Sequence, residues 1–264
     1  VSVLASVTTH RELVENLVMR DIKARYKQSV LGYAWAVLNP LVLTFVYYLV
    51  GGIFLGQANA TFPFAVHICF GVLFWNLFST GLLTATEGLV SHLSLITKVY
   101  FPREVFPVSA VISKLVDFGF GLIGLIPLLL MYRLLPAPTI LLCIPLLAIQ
   151  LLFTMGLGML CACANLFYRD VRYLVQLSLG IWLYLVPNIY TLEKVAAYPG
   201  VYKFYMLNPM AVLIEAYRRA AFPQTGSLIE LLPYLGLATV SAVAIFIIGY
   251  TVFKRNEARF AEFI

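Results

Sequence analysis

Charge is what this chain has least of. Lys, Arg, Asp and Glu make up 11% of its 264 residues, less than half the roughly 25% of soluble domains. So few charges cannot cover a soluble surface, which excludes an ordinary cytosolic enzyme, a nucleic-acid-binding module and a disordered chain. Histidine is scarce too, with three residues, and His10-Arg11-Glu12 does not fit the H-E-x-x-H pattern of a zinc protease. The cysteines Cys69, Cys143, Cys161 and Cys163 all lie in apolar runs. They show neither C-x-x-C nor metal-ligand spacing, so they read as small buried hydrophobes and no metal is expected. The G-x-x-x-x-G-K-[ST] loop of an ATPase is missing. So is any convergent set of acid, base and nucleophile, and the chain is expected to be neither an enzyme nor the holder of a cofactor.

What is present is apolar. Hydrophobic residues reach 62% and the mean hydropathy is +0.92, which predicts an all-α integral membrane protein. Six runs have the roughly 20 apolar residues a spanning helix needs: 33–55, 62–86, 108–132, 139–164, 174–192 and 233–253. They are continuous rather than alternating, which excludes a β-barrel. With both termini cytoplasmic, 13 of the 18 Lys and Arg residues fall on the inner side, as the positive-inside bias requires. The first 30 residues are rich in charge and lack an apolar core, so no cleavable signal peptide is expected. With no repeat and no connector large enough for its own core, residues 1–264 read as a single transmembrane domain.

Within residues 8–30, Leu13, Val14, Leu17, Val18, Ile22 and Tyr26 recur at helical spacing between Glu12, Glu15, Arg20, Lys23 and Lys27. This predicts an amphipathic interface helix, lying on the bilayer or packed against a partner. Its cations Arg20, Lys23, Arg25 and Lys27 suit either phosphate on a substrate at the entrance or ordinary lipid headgroups. Ionisable groups in or near the spans are few: Glu87 at the inner end of the second, and Lys114 and Asp117 three apart on the third, spaced to pair. That scarcity argues against ion coupling. Aromatics are plentiful instead. Trp35, Phe74, Trp75, Phe78, Trp182 and Tyr184 are candidates to line a pathway, where ring faces meet the C–H faces of sugars; otherwise they anchor at the interface or face lipid and core.

Four stretches resemble a known family: RDIKARYKQSVLGYAWAVLNPL (20–41), ITKVYFPREVFPV (96–108), NLFYRDVRYLV (165–175) and LNPMAVLIEAYRRAAF (207–222). Together, across nearly the whole chain, they are similar to the permease subunit of ABC-2-type polysaccharide exporters, which move O-antigen, capsular polysaccharide or wall teichoic acid on polyprenyl carriers. One departure is Asn188 in Val186-Pro187-Asn188-Ile189-Tyr190, where a second apolar residue is expected. The resemblance implies a homodimer in the bacterial cytoplasmic membrane, with two cytosolic ATPase subunits that bind the ATP and Mg this chain does not. It implies a coupling helix at 97–106, with Lys98, Tyr100, Phe101, Arg103, Glu104 and Phe106 as contacts, and a second contact at Arg169 and Asp170. It also implies an extracytoplasmic gate of short re-entrant helices at 193–232, where Pro199-Gly200 and Asn208-Pro209 mark breaks. An ABC-2 permease for drugs or small lipids would differ by cargo alone. A secondary transporter or channel would work without an ATPase.

Overall fold

The structure is a computed structural model that describes residues 9–27, 29–54, 56, 62–92 and 102–262. Every regular element among the described residues is helical. Helix α1 is Arg11–Tyr26. Helix α2 is Ala34–Tyr47 and continues as a π-helical turn over Tyr48–Phe54. Then come α3 (Phe64–Glu87), α4 (Val105–Met131), α5 (Cys143–Phe167), α6 (Val171–Trp182), α7 (Leu192–Ala196), α8 (Pro199–Tyr205), α9 (Pro209–Ala221) and α10 (Leu232–Asn256).

Five segments are long and apolar enough to cross a membrane: Ala34–Phe54, Phe64–Glu87, Val105–Met131, Pro138–Phe167 and Ile229–Asn256. They match five of the six expected spans to within a few residues. The expected span at 174–192 is different. Its helical part is the end of α6, a 12-residue helix that begins at Val171, and a three-residue 3-10 turn, Leu183–Leu185; the helix and the turn are together about 24 Å long. That is short of the roughly 30 Å of a hydrocarbon layer. The stop is chemical: Pro187 forces the residue before it out of the helical region, and Val186 is extended, with φ −125° and ψ 150°.

Helix α3 is the hub. It packs against α2, α4 and α5 and is the most buried of the five long helices. Two side-chain amides of α5 fasten it: Gln150 Nε2 donates to the Phe74 carbonyl at 2.9 Å and Asn165 Nδ2 to the Thr86 carbonyl at 3.1 Å. Helices α5 and α10 approach backbone to backbone. A Cβ on Gly156 would lie 2.6 Å from Phe246 Cα, and one on Gly249 would overlap the Gly156 carbonyl. Small residues that let backbones touch are how helices associate without a hydrophobic drive between them.

Helix α1 buries Val14, Leu17 and Ile22. Val14 and Leu17 join Leu89, Val105, Phe106, Phe253 and Phe260 in one apolar cluster at the end of the bundle where α4 begins and α10 ends. Its apolar face is therefore seated on this chain, and Arg20, Lys23 and Lys27 remain outside. At the opposite end lie α7, α8 and α9. Helix α9 is buried on nearly every side. Its Met210, Leu213, Ile214 and Tyr217 pack inward, and so do Glu215 and Arg218.

Candidate functional site

The candidate aromatics separate into two sets. Phe74, Trp75 and Phe78 of α3 are buried inside the chain. Phe74 stacks on Tyr217 of α9 with centroids 3.7 Å apart and planes at 15°. Phe78 lies 5.8 Å from Phe153 and 5.2 Å from Trp182, and Trp75 lies 6.4 Å from Trp182. Half-buried Trp182 donates its indole N–H to Asn208 Oδ1 at 3.0 Å. Trp35 and Tyr184, in contrast, are 53% and 62% exposed. Trp75, Phe78 and Trp182 thus form one ring cluster, Phe74 packs separately on Tyr217, and Trp35 and Tyr184 lie on open surface.

The open face of α3 carries different chemistry, which the aromatic reading passed over. Apart from Ala65 in its first turn, Asn76, Ser79, Thr80, Thr84 and Glu87 are the positions where this helix is not fully buried, together with Leu83. Their three- and four-residue spacing places them on one stripe, a pattern visible in the sequence once polar rather than aromatic residues are followed. Thr80 and Thr84 return their hydroxyls to the Asn76 and Thr80 carbonyls, at 2.6 and 2.7 Å, which lowers the cost of holding them in an apolar layer. A shallow recess joins Ser79 and Thr80 to Gln176 and Gly180 of α6.

The four basic candidates of α1 and the residue after it also divide. Arg20, Lys23 and Lys27 line one open cleft with Tyr33. Arg25 turns the other way and meets Asp117 of α4, whose second oxygen accepts the Tyr26 hydroxyl at 2.8 Å. Burial, with Asp117 adding to it, pushes the Tyr26 phenol up to about 12. Lys114 and Asp117 pair as their spacing predicts, Nζ to Oδ2 at 3.6 Å. Asp21 lies 3.7 Å from His92. His92 Nδ1 shares a hydrogen bond with the Gly88 carbonyl at 2.8 Å, and burial holds its pKa below the usual value.

Of the coupling candidates, Lys98, Tyr100 and Phe101 lie outside the described residues. Arg103, Glu104 and Phe106 turn toward the end of α10. The Arg103 amide donates to Glu257 Oε1 at 3.1 Å, and its guanidinium meets the Glu257 carbonyl. Glu104 is fully buried and accepts from Lys254 Nζ at 2.7 Å. Phe106 is buried beside the His92 ring. Arg169 and Asp170 stand exposed in the turn between α5 and α6. Asn165 Oδ1 fixes that turn by accepting the Arg172 amide at 3.1 Å.

At the other end of the bundle, Arg218 is fully buried. Its guanidinium reaches Glu215 at 2.5 Å, the Pro187 carbonyl at 2.9 Å and the His67 carbonyl at 3.4 Å. Glu215 also accepts from Arg219 at 3.0 Å. One side chain therefore ties α9, the break after α6 and the start of α3 together. Asn188, the departure noted in the sequence, is buried over Gly71, where any Cβ would collide with its amide oxygen. Among the described residues, no group of three or more His, Cys, Asp or Glu could hold a metal ion.

Long apolar helices around a buried hub define an all-helical multi-pass membrane protein. The chain belongs to the ABC-2 type transporter family, whose model matches residues 12–222. It is similar to the O-antigen export system permease protein RfbA of Myxococcus xanthus, 31% identical over 97% of this chain and 96% of that one. Two RfbA permeases of Klebsiella pneumoniae are 27% and 28% identical, each over 96% of this chain and 95% of its own length.

Proposed function

We propose that the protein is the transmembrane subunit of an ATP-driven exporter that carries a polyprenyl-diphosphate-linked polysaccharide of the O-antigen type across the bacterial cytoplasmic membrane. The observation that carries this reading is end-to-end similarity to proteins named as O-antigen export permeases. Similarity of that extent covers 95–96% of the length of those permeases. The chain acts as a homodimer with two copies of a separate ATPase, which supplies the nucleotide site.

The basic bias sets both termini and α1 on the cytoplasmic side. The short α6 with the 3-10 turn after it serves as a sixth crossing, and α7 to α9 form the outer gate held by Arg218. The ATPase docks at 97–106 and at the exposed turn of Arg169 and Asp170. The polymer passes the polar stripe of α3 between Trp35 and Tyr184. Hydroxyl and amide groups exchange hydrogen bonds with sugar hydroxyls there, and the buried rings of Phe74, Trp75 and Phe78 stiffen the wall behind.

The test is genetic and biochemical together. The gene is introduced, with the ATPase gene that accompanies it, into a strain lacking its O-antigen permease. Restored surface polysaccharide and co-purification of the two subunits support the reading. A chain that purifies alone and responds to the proton gradient overturns it in favour of a secondary transporter.

A further inference from the structure

A cavity of about 350 Å³ opens between α1, α2, α3 and α4, within the range of small-ligand sites of about 300–1,000 Å³. Its wall is polar for a place between apolar helices. Arg25, Lys114 and Asp117 meet there with the amides of Asn39 and Asn76 and the hydroxyl of Thr80. Pro40 and Ala36 also line it. Proline has no N–H to return to the carbonyl four residues before it, so the Ala36 carbonyl, near Gly121, is an acceptor without its usual helical donor.

The charges do not balance. Two cations face one carboxylate, and that carboxylate is already engaged on both oxygens, by Arg25 and by the Tyr26 hydroxyl. Lys114 is 91% buried yet holds its ion-pair partner only at 3.6 Å. An ammonium ion removed from water needs a closer counter-charge than that, and its remaining donors have the cavity to point into. Exposed Trp35 on the rim offers a ring face beside the charged floor.

We propose that this cavity is a binding site for the phosphate-bearing headgroup of a membrane lipid. Lys114 and Arg25 hold the phosphate, Asn39, Asn76 and Thr80 hold hydroxyls of the attached group, and Asp117 is the internal anion that the phosphate displaces. Because Arg25 belongs to α1, the exchange of Asp117 for phosphate also loosens α1 from α4. The headgroup has two possible sources, the diphosphate of a polyprenyl-linked cargo or a bulk anionic phospholipid. The first rests on the export reading above; the site itself does not.

The test is equilibrium binding of radiolabelled farnesyl diphosphate to the full-length protein in phosphatidylcholine nanodiscs, repeated in nanodiscs containing phosphatidylglycerol. Lys114→Gln and Arg25→Gln are each expected to weaken binding about tenfold, the loss of one charge-assisted contact. Asp117→Asn is expected to tighten it several-fold, an outcome a misfolded variant cannot imitate. Lys203→Gln, remote from the cavity, leaves it unchanged. Persistence of binding against phosphatidylglycerol assigns the site to diphosphate, and loss assigns it to bulk lipid; either supports the site when the variants behave as stated. Binding indifferent to Lys114→Gln and Arg25→Gln, or not tightened by Asp117→Asn, overturns it. Neither result depends on the ATPase, so failure of the export reading is seen separately, as failure to complement and to co-purify.

Discussion

Trp182 donates its indole N–H to the side-chain oxygen of Asn208, 3.0 Å away. The same oxygen accepts the Met210 amide at 3.1 Å, and the amide nitrogen donates to the Leu185 carbonyl at 2.8 Å. One asparagine therefore caps α9, with Pro209 at its first position, and closes the end of the short α6. Asn208→Ala is expected to destabilise the protein by about 2 kcal/mol, the loss of a cap and of two further hydrogen bonds. Asn208→Asp keeps the two accepted bonds and should lose less. Thermal midpoints of the purified variants decide the order.

The buried pair of α9 makes a sharper prediction. Glu215→Leu leaves the Arg218 guanidinium buried without its carboxylate, at a cost of about 3–5 kcal/mol. The variant should give little folded protein by size-exclusion chromatography. Glu215→Leu combined with Arg218→Met should recover much of the loss, because both charges are then gone.

The placement of the aromatic rings separates packing from lining. Phe78→Ala removes a fully buried ring between Phe153 and Trp182 and is expected to destabilise by about 3–5 kcal/mol. Tyr184→Ala, on open surface, should leave the thermal midpoint nearly unchanged while polymer export falls. Equal stability losses for the two would contradict the division between core and surface rings.

Close backbone contact predicts a contrast between glycines. Gly249→Ala sets a methyl against the Gly156 carbonyl and should destabilise by about 1–3 kcal/mol through overpacking. Gly236→Ala, on the same helix with nothing near its Cβ, should be neutral or slightly stabilising. Midpoints for the two variants, measured side by side, test the α5–α10 contact directly.

His92 gives a pH dependence. Burial lowers its pKa in the folded protein below the roughly 6.5 of an unfolded chain, so the unfolded chain binds more protons at acid pH. The stability from keeping His92 neutral is full above about pH 6.5 and is lost as pH falls below that value through the lower pKa of the folded protein. His92→Gln should flatten the fall in thermal midpoint between about pH 7 and 5. An identical fall in the variant would assign it to other groups.

Five crossings were legible because long apolar runs have few alternatives. The sixth run is also apolar, and what shortens it is the local effect of Pro187 on Val186, which hydropathy does not register. Met210, Leu213, Ile214 and Tyr217 make an apolar stripe at helical spacing, yet α9 is buried on nearly every side, so Glu215 and Arg218 also go inside and neutralise each other. Arg25 looked like its neighbours Lys23 and Lys27. Its partner Asp117 is 92 residues away, and no periodicity within α1 indicates that. Phe74, Trp75 and Phe78 were recognisable as a cluster, but a ring that lines a path and a ring that packs a core have the same spacing.

The abrupt end of α6 has a consequence for the surrounding lipid. A segment of about 24 Å set in a hydrocarbon layer of about 30 Å is in negative hydrophobic mismatch, and it cannot tilt to make up the difference as an overlong helix does. Much of its surface faces away from the rest of the chain. As the sixth crossing proposed above, it would oblige the acyl chains beside it to compress, thinning the bilayer along this flank of the protein.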